Sequence, residues 1–263
     1  MNAVLRTIHA RSSLRVYKDR PISPEHRKTL LEATLRAPTA GNMMLYSIVT
    51  VTERSVKERL SVTCDNQPFI ARAPLILLFL ADYQRWFDYY RQSGVPEFCA
   101  AAGRSWQGPR LGDLFIAVND AIIAAQTAVI AAESLGIGSC YIGDIMENYE
   151  VHRELLNLPD FAFPITMLCL GYYPDDYRPK YRGRFPEEFI VHDEQYERLN
   201  TERLAAMFAP LEKGFVATNG HGAENMGQLM YARKTGSTFA KEMTRSIGEA
   251  LKNWQGEGGG SDE

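Results

Sequence analysis

The decapeptide 135–144, Leu135-Gly136-Ile137-Gly138-Ser139-Cys140-Tyr141-Ile142-Gly143-Asp144, decides the fold class. Upstream of it the apolar stretch from Leu111 to Leu135 has the length and content of a long core helix. Gly136 stands where a left-handed residue closes such a helix. Cys140 to Gly143 then reads as a short strand. The glycines allow close backbone approach, but the turn ends a helix where the dinucleotide fingerprint G-x-G-x-x-G would open one. There is no Walker A lysine motif elsewhere. A doubly wound nucleotide fold is therefore disfavoured. Strands alternate with helices too numerous for a plain doubly wound sheet, so the pattern predicts an α+β sandwich around a mixed sheet, with C-terminal helices that reach to a partner subunit.

Outward from this segment the elements follow from local chemistry. Ser23-Pro24-Glu25 combines an N-cap, a proline suited to the first turn and an acid at the positive helix end, and the helix it starts is stopped by Pro38. Residues 46–52 are rich in β-branched side chains and read as a strand, with a short helix over 55–60. Residues 73–81, APLILLFLA, are too short to span a membrane and too apolar for an edge, which predicts a central strand covered on both faces. Residues 83–109 bring Trp86, Phe87, Tyr89, Tyr90, Phe98 and Trp106 into one excursion. It could cover a flat ligand, or its rings could simply pack on one another. An amphipathic helix over 147–158, an apolar strand over 164–172 and a last helix over about 238–254 complete the reading. The final GEGGGSDE is compositionally a flexible tail.

The 263 residues carry a formal net charge of -3, with 45% hydrophobic and 23% charged residues, the balance of an ordinary globular protein without the basic excess of a nucleic-acid binder. Asn119, Asp120, Gln126 and Glu133 interrupt the longest apolar stretch, which argues for a core helix and against a membrane span. Cys64, Cys99, Cys140 and Cys169 form no CxxC pair, and the five histidines show no HExxH spacing, so buried thiols and no metal are expected. MNAVLRTIHARSS lacks the apolar core of a signal peptide. The expected location is the cytoplasm.

Two basic segments could carry chemistry. Arg11-Ser12-Ser13-Leu14-Arg15 places two guanidinium groups and two hydroxyls within five residues, a donor set suited to a phosphate or to the polar edge of a heterocycle. Residues 177–186, YRPKYRGRFP, set four cations in seven residues between prolines, a stiff loop suited to a phosphate dianion. A solvated turn and a solvated charge run are the bland alternatives for the two.

Taken together and in this order, RSSLRVY, APTAGNMMLYSIV, AAESLGIGSCYIG and LCLGYYPDDYRPKYRGRFP resemble the nitroreductase superfamily of FMN-dependent NAD(P)H oxidoreductases, over about residues 5–192. The long C-terminal part is most similar to its larger, NADPH-preferring nitroreductase and flavin-reductase branch. The resemblance implies a three-layer α+β sandwich with a mixed, mainly antiparallel sheet, and a homodimer with FMN at the interface. Its implied organisation is a 1–192 FMN-binding core with the excursion at about 83–110, a 193–255 helical extension and the 256–263 tail. Carried over residue by residue, it implies that Arg11, Ser12 and Ser13 contact the phosphate and ribityl chain and that Arg15 lies at the N1/O2 edge of the flavin. Thr39 and Asn42 fall in a second flavin-contacting turn, and Gln67 bonds the polar ring edge. Tyr141, Ile142, Gly143 and Asp144 form the strand end that approaches N5 and O4. Lys180, Arg182 and Arg184 share the late phosphate contacts, with the choice among the three open.

The activity so implied is hydride transfer from NAD(P)H through FMN to nitroaromatics, quinones or free flavin, with no obligatory acid or base. A non-catalytic FMN-binding module, or a divergent ene-reductase or dehalogenase, is the alternative. Arg104, Arg110 and Arg233 are candidates for the adenine phosphate of NADPH.

Overall fold

The computed structural model describes residues Met1–Gln255; the tail over 256–263 lies outside the described residues. Two compact units are present. The first runs from Met1 to Pro179 and resumes at Glu242, and the second is Lys180–Lys241, so the expected boundary near 192 falls inside the second unit.

The first unit is built in chain order from α1 (Ala3–Ala10), α2 (Pro24–Thr34), β1 (Tyr46–Val51), α3 (Arg54–Thr63), α4 (Pro68–Arg72), β2 (Leu75–Asp82), α5 (Gln84–Gln92), α6 (Val95–Ala101), α7 (Leu111–Ser134), β3 (Ile137–Ile142), α8 (Tyr149–Leu156) and β4 (Ala162–Tyr172). The sheet order is β1-β2-β4-β3, and all three pairings are antiparallel. The parallel component of the mixed sheet is a single bridge between Ser13 and Ser139.

β2 is buried along its whole length. Leu75, Leu77, Phe79 and Ala81 face the cluster that contains α7, while Ile76, Leu78 and Leu80 face the cluster formed with Leu60, Ile70 and Met167. The period-2 alternation thus feeds two cores, and each fully buried leucine or isoleucine contributes about 1.5–3 kcal/mol. This is why the residues over 73–81 are apolar without alternation. It also makes the architecture a three-layer sandwich.

α7 lies along one face of the sheet through Ala117, Ala121, Ala124, Ala125, Ala128 and Ala132, all fully buried. Small side chains at helical spacing let the helix axis approach the strands closely. The Arg110 N–H donates to Asp113 Oδ2 at 2.8 Å, capping its start. Gly136 closes its end at φ +71°, as the sequence requires. α7 is also long and apolar enough to cross a membrane by length and composition alone. Here only one side of it enters the core: Phe115, Ile116, Ile122 and Ile123 are exposed on the other.

Several other elements match their sequence signals. Ser23 accepts the His26 N–H at the start of α2. α1 and the short α4 are additions that periodicity did not predict, the second too short for a hydrophobic period to register. In the excursion, Phe87 stacks on Trp106 with ring centroids 5.9 Å apart and packs on Phe161 at 4.8 Å. The mutual-packing alternative therefore holds for these rings.

The second unit contains α9 (Thr201–Glu212) and α10 (Met226–Arg233). α11 (Thr238–Leu251) follows, and its residues from Glu242 onward belong to the first unit. Ser246 of α11 is fully buried, accepts the Tyr149 N–H at 2.9 Å and donates to the Met146 carbonyl at 2.6 Å.

Candidate functional site

The residues after α1 run as an extended segment past the ends of β3 and β4. The Leu14 N–H donates to the Ser139 carbonyl at 2.9 Å, and the Lys18 N–H to the Tyr172 carbonyl at 2.9 Å. Two glycines make this approach possible. A Cβ on Gly138 would stand 2.6 Å from Leu14 Cδ2, and one on Gly171 would stand 2.6 Å from Tyr17 Cδ1. No larger residue fits either place without displacing the segment.

Pinned in this way, Arg11 is half-buried, and its Nε is buried without a hydrogen-bond partner among the described residues. The Ser139 hydroxyl, on the strand that pairs with Ser13, is buried and equally unpartnered. Orphaned donors of this kind cost about 1–3 kcal/mol each unless a bound group satisfies them. Ser13 and Arg15 are exposed, whereas Ser12 is buried and its hydroxyl shares a hydrogen bond of 3.0 Å with Tyr177. Lys18 pairs with Asp175 at 2.6 Å, a second tie between the segment and the chain after β4.

Arg15 holds its guanidinium 5.8 Å from the centre of the Phe69 ring in α4. Gln67 caps that helix, with its own Nε2 donating to the Cys64 carbonyl at 3.0 Å. On β3, burial pushes the Cys140 thiol up, Arg15 and Arg11 pull it down, and Asp144 raises it. Arg11, Arg15 and Asp144 thus all lie near enough to Cys140 to act on its thiol. Burial likewise lifts Tyr141 to about 12, with Arg11 opposing. The Tyr141 hydroxyl donates to Gln126 Oε1 at 3.2 Å. Gly143 and Asp144 enter a 3₁₀ turn, Asp144–Met146, whose first N–H groups have no partner within the turn.

Thr39 and Asn42 sit elsewhere. Their turn leads into β1, on the opposite edge of the sheet from β3. The Thr39 hydroxyl is engaged internally, donating to Asp120 Oδ2 at 2.5 Å while accepting the Met44 N–H at 2.8 Å. Asn42 is exposed in the left-handed conformation at φ +56°, a geometry asparagine tolerates. The excursion braces this turn: Trp86 Nε1 donates to the Met43 carbonyl at 2.8 Å, and Arg85 to the Met44 and Tyr46 carbonyls at 2.6 and 2.8 Å.

Lys180, Arg182 and Arg184 belong to the other unit, on an exposed segment without regular structure before the short turn Glu187–Phe189. Of the candidates for an adenine phosphate, Arg110 lines a hollow of about 260 Å³ with Tyr83, Phe87, Tyr90 and Trp106. Arg104 lies 5.8 Å from the Phe98 ring centre, and Arg233 ends α10. A larger hollow of about 460 Å³, between α8 and the end of α11, is lined by Arg153, Glu150 and Lys252 and stands apart from the arginine cluster.

Sequence reasoning did not single out Ser139, Phe69 or Asp120 as site elements. Asp120 carried a signal, a charge inside an apolar helix. Ser139 and Phe69 carried none.

A family model described as the nitroreductase family matches residues 8–172. The chain belongs to the nitroreductase family. Among members of this family, it is 30% identical over 207 residues to an oxygen-insensitive NADPH nitroreductase of Salmonella typhimurium, covering 78% of this chain and 79% of the relative. It is 31% identical over 206 residues to the FMN reductase [NAD(P)H] of Bacillus subtilis, covering 78% of each. The structure of the NADPH:FMN oxidoreductase from Vibrio harveyi complexed with NAD+ superimposes with a TM-score of 0.76 at 26% identity, covering 95% of this chain and 98% of that one. The nitroreductase match begins just before Arg11 and ends at Tyr172, so it takes in the whole pinned segment and all four strands.

Proposed function

We propose that this nitroreductase-family chain is an FMN-dependent oxidoreductase that takes hydride from NAD(P)H, with NADPH preferred, and passes it to small flat acceptors such as nitroaromatics, quinones or free flavin. The observation that carries the reading is the pair of buried, unpartnered donors, Arg11 Nε and Ser139 Oγ, beside the exposed Arg15. The named activities of the relatives support the same reading.

Arg11 and Ser13 suit the phosphate end, since a half-buried guanidinium and a hydroxyl together satisfy several anionic oxygens. When bound, FMN supplies the hydride chemistry. Arg15 sets a fixed positive charge at the ring edge, where negative charge gathers on reduction. Gln67 offers an amide to the same edge, and the turn at Gly143 and Asp144 offers backbone N–H groups.

FMN-loaded protein is expected to bleach at about 450 nm on anaerobic addition of NADPH. Protein that holds FMN yet stays yellow with both NADPH and NADH refutes the proposal. Arg15→Gln is expected to retain FMN while its reduction slows by about 10–100-fold, the worth of one charge interaction of roughly 1.4–2.8 kcal/mol. Stopped-flow reduction rates measure this.

The same reading includes a homodimer. α1 packs against α7, with Val4, Leu5 and Ile8 exposed on the first helix and Phe115, Ile116, Ile122 and Ile123 on the second. Phe115 alone is 67% exposed, an arrangement that favours a covering partner. The separation of Thr39 and Asn42 from the Arg11 cluster, on opposite sheet edges, fits a site completed by a second copy. Phe115→Glu with Ile122→Glu is expected to convert a dimer to a monomer in light scattering and to weaken FMN binding at least about tenfold, since each charge would have to be buried unpaired. A wild-type chain of monomer mass refutes the dimer. Four free cysteines, with Cys140 and Cys169 directly opposite each other on β3 and β4, support placement in the reducing cytoplasm.

A further inference from the structure

Along the extended segment after α1 the side chains alternate. Ser12 and Leu14 are buried, Ser13 and Arg15 are exposed, and Arg11 is half-buried with its unpartnered Nε. An extended chain sends neighbouring side chains to opposite faces, so one face anchors this segment and the other presents its polar groups. The two anchors differ in kind. Leu14 is fully buried, donates its N–H to the Ser139 carbonyl and fills the space over Gly138. Ser12 is held through its hydroxyl, 3.0 Å from that of Tyr177, which stands 165 residues further along the chain.

Tyr177 is itself braced. Its N–H donates to the Pro174 carbonyl at 3.1 Å, closing a tight turn, and its ring meets that of Tyr173 with centroids 4.9 Å apart. Tyr173 in turn lies over β3, its Cζ 2.7 Å from where a Cβ on Gly138 would stand. Its hydroxyl donates to both carboxylate oxygens of Glu133, in the last turn of α7, at 3.0 and 2.9 Å. Burial and the adjoining carboxylate push the Tyr173 hydroxyl up, so it keeps its proton as the donor. The missing side chain of Gly138 thus makes room both for Leu14 and for the ring behind Tyr177.

The other side-chain tie between this segment and the chain after β4 is weaker. Lys18 and Asp175 have side chains 41% and 86% exposed, and solvent screens an ion pair so placed. The part-buried bond from Ser12 to Tyr177 is therefore what fixes the start of the segment. Neither the ring contacts nor the hydride chemistry uses Glu133, Tyr173 or Tyr177.

We propose that Tyr177 is a positioning residue for the phosphate end of the site: through Ser12 it fixes Arg11 and Ser13 toward the phosphate, with Tyr173 and Glu133 bracing it from behind, and the preference for FMN over unphosphorylated flavin depends on that chain of contacts. This role rests on the FMN reading above and on Arg11 and Ser13 as the phosphate contacts. A shift at residue 12 moves its two neighbours most. The ring-edge groups stand on other supports, Arg15 beyond the Leu14 anchor and Gln67 at the start of α4. Loss of the tie therefore falls on the phosphate end and spares the ring.

The test uses the full chain and two ligands, FMN and riboflavin, which has the same ring and ribityl chain without the phosphate. Each is titrated by quenching of flavin fluorescence into wild type, Tyr177→Phe, Tyr173→Phe, Ser12→Ala and the double variant of Tyr177→Phe with Ser12→Ala. Tyr177→Phe removes one hydroxyl and keeps the ring against Tyr173. The expected result is an FMN Kd weakened about three- to tenfold, the range for one lost neutral hydrogen bond, with the riboflavin Kd unchanged within about twofold. Ser12→Ala breaks the same bond from the other side, so the double variant should bind FMN no more weakly than the worse single one. Tyr173→Phe releases Glu133 and is expected to weaken FMN alone, and it carries the test if Tyr177→Phe does not fold. Equal weakening of both flavins means general loosening and overturns the positioning role, as does an FMN Kd equal to that of wild type. Additive losses in the double variant overturn the route through Ser12. Wild type that holds riboflavin as tightly as FMN overturns the phosphate contacts and the proposal with them, and wild type that binds neither overturns the FMN reading itself.

Discussion

Asp120→Ala is expected to destabilise the protein by about 3–5 kcal/mol, the usual range for removing one side of a buried charged hydrogen-bond set. Asp120 is 2% exposed in the middle of α7. Its carboxylate accepts the Thr39 hydroxyl at 2.5 Å, the Ala40 N–H at 2.9 Å and the Leu45 N–H at 3.1 Å. Alanine leaves two backbone donors and a hydroxyl without partners, at about 1–3 kcal/mol each before relaxation. Asp120→Asn keeps one acceptor oxygen and meets the remaining donors with an NH₂ group, so it should fall between alanine and wild type. Urea unfolding measures both as a lower midpoint at constant slope. An alanine variant within about 1 kcal/mol of wild type would show that the turn finds other partners, and the role assigned to Asp120 would fall. The change should also loosen the start of the turn carrying Thr39 and Asn42, because Asp120 holds Thr39 and Ala40 there while Trp86 and Arg85 brace only its far end at Met43, Met44 and Tyr46.

Trp254→Ala should have an effect of similar size. The indole is 1% exposed near the end of the described chain, packed edge-on against Phe161 with ring centroids 5.4 Å apart. Emptying so large a buried volume costs about 3–5 kcal/mol, transfer and cavity contributions combined. Phe161 also packs on Phe87 of the excursion, and Asn253 donates to the Tyr149 hydroxyl at 3.4 Å, so the loss spreads to α5 and α8. For a chain of this size each kcal/mol lowers the thermal midpoint by about 2–4 °C, which gives a drop of at least about 6 °C by calorimetry. A midpoint unchanged within about 2 °C would mean that α11 is dispensable to the core. Its buried Ser246, bonded on both sides, argues otherwise.

Much of the core layer was legible. A strand apolar at every position, a capped helix after Ser23 and a glycine-closed helix ending at Gly136 each follow from short-range chemistry, and each stands where the pattern put it. α1 and α4 were not read from the sequence, and the 5 residues of α4 hold too little period to be told from loop. The apolar stretch in α7 was read as a buried helix, and half of that reading needed correction. Phe115 and Ile122 are as apolar as Leu114 and Ala121, and nothing local to the chain distinguishes the side that meets the sheet from the side left open.

The site divides in the same way. By itself the sequence determined which residue types are present: the paired arginines at 11 and 15, the small residues at 138 and 171, and a family likeness running through all four strands. Only the tertiary structure decided that Gly138 and Gly171 are cut away for Leu14 and Tyr17, that Arg11 and Ser139 are left with unsatisfied donors, and that Thr39 turns inward to Asp120. The physical reason is range. Caps, turns and hydrophobic periods are set within a few residues, whereas burial, orphaned donors and charge clusters depend on which distant segments meet.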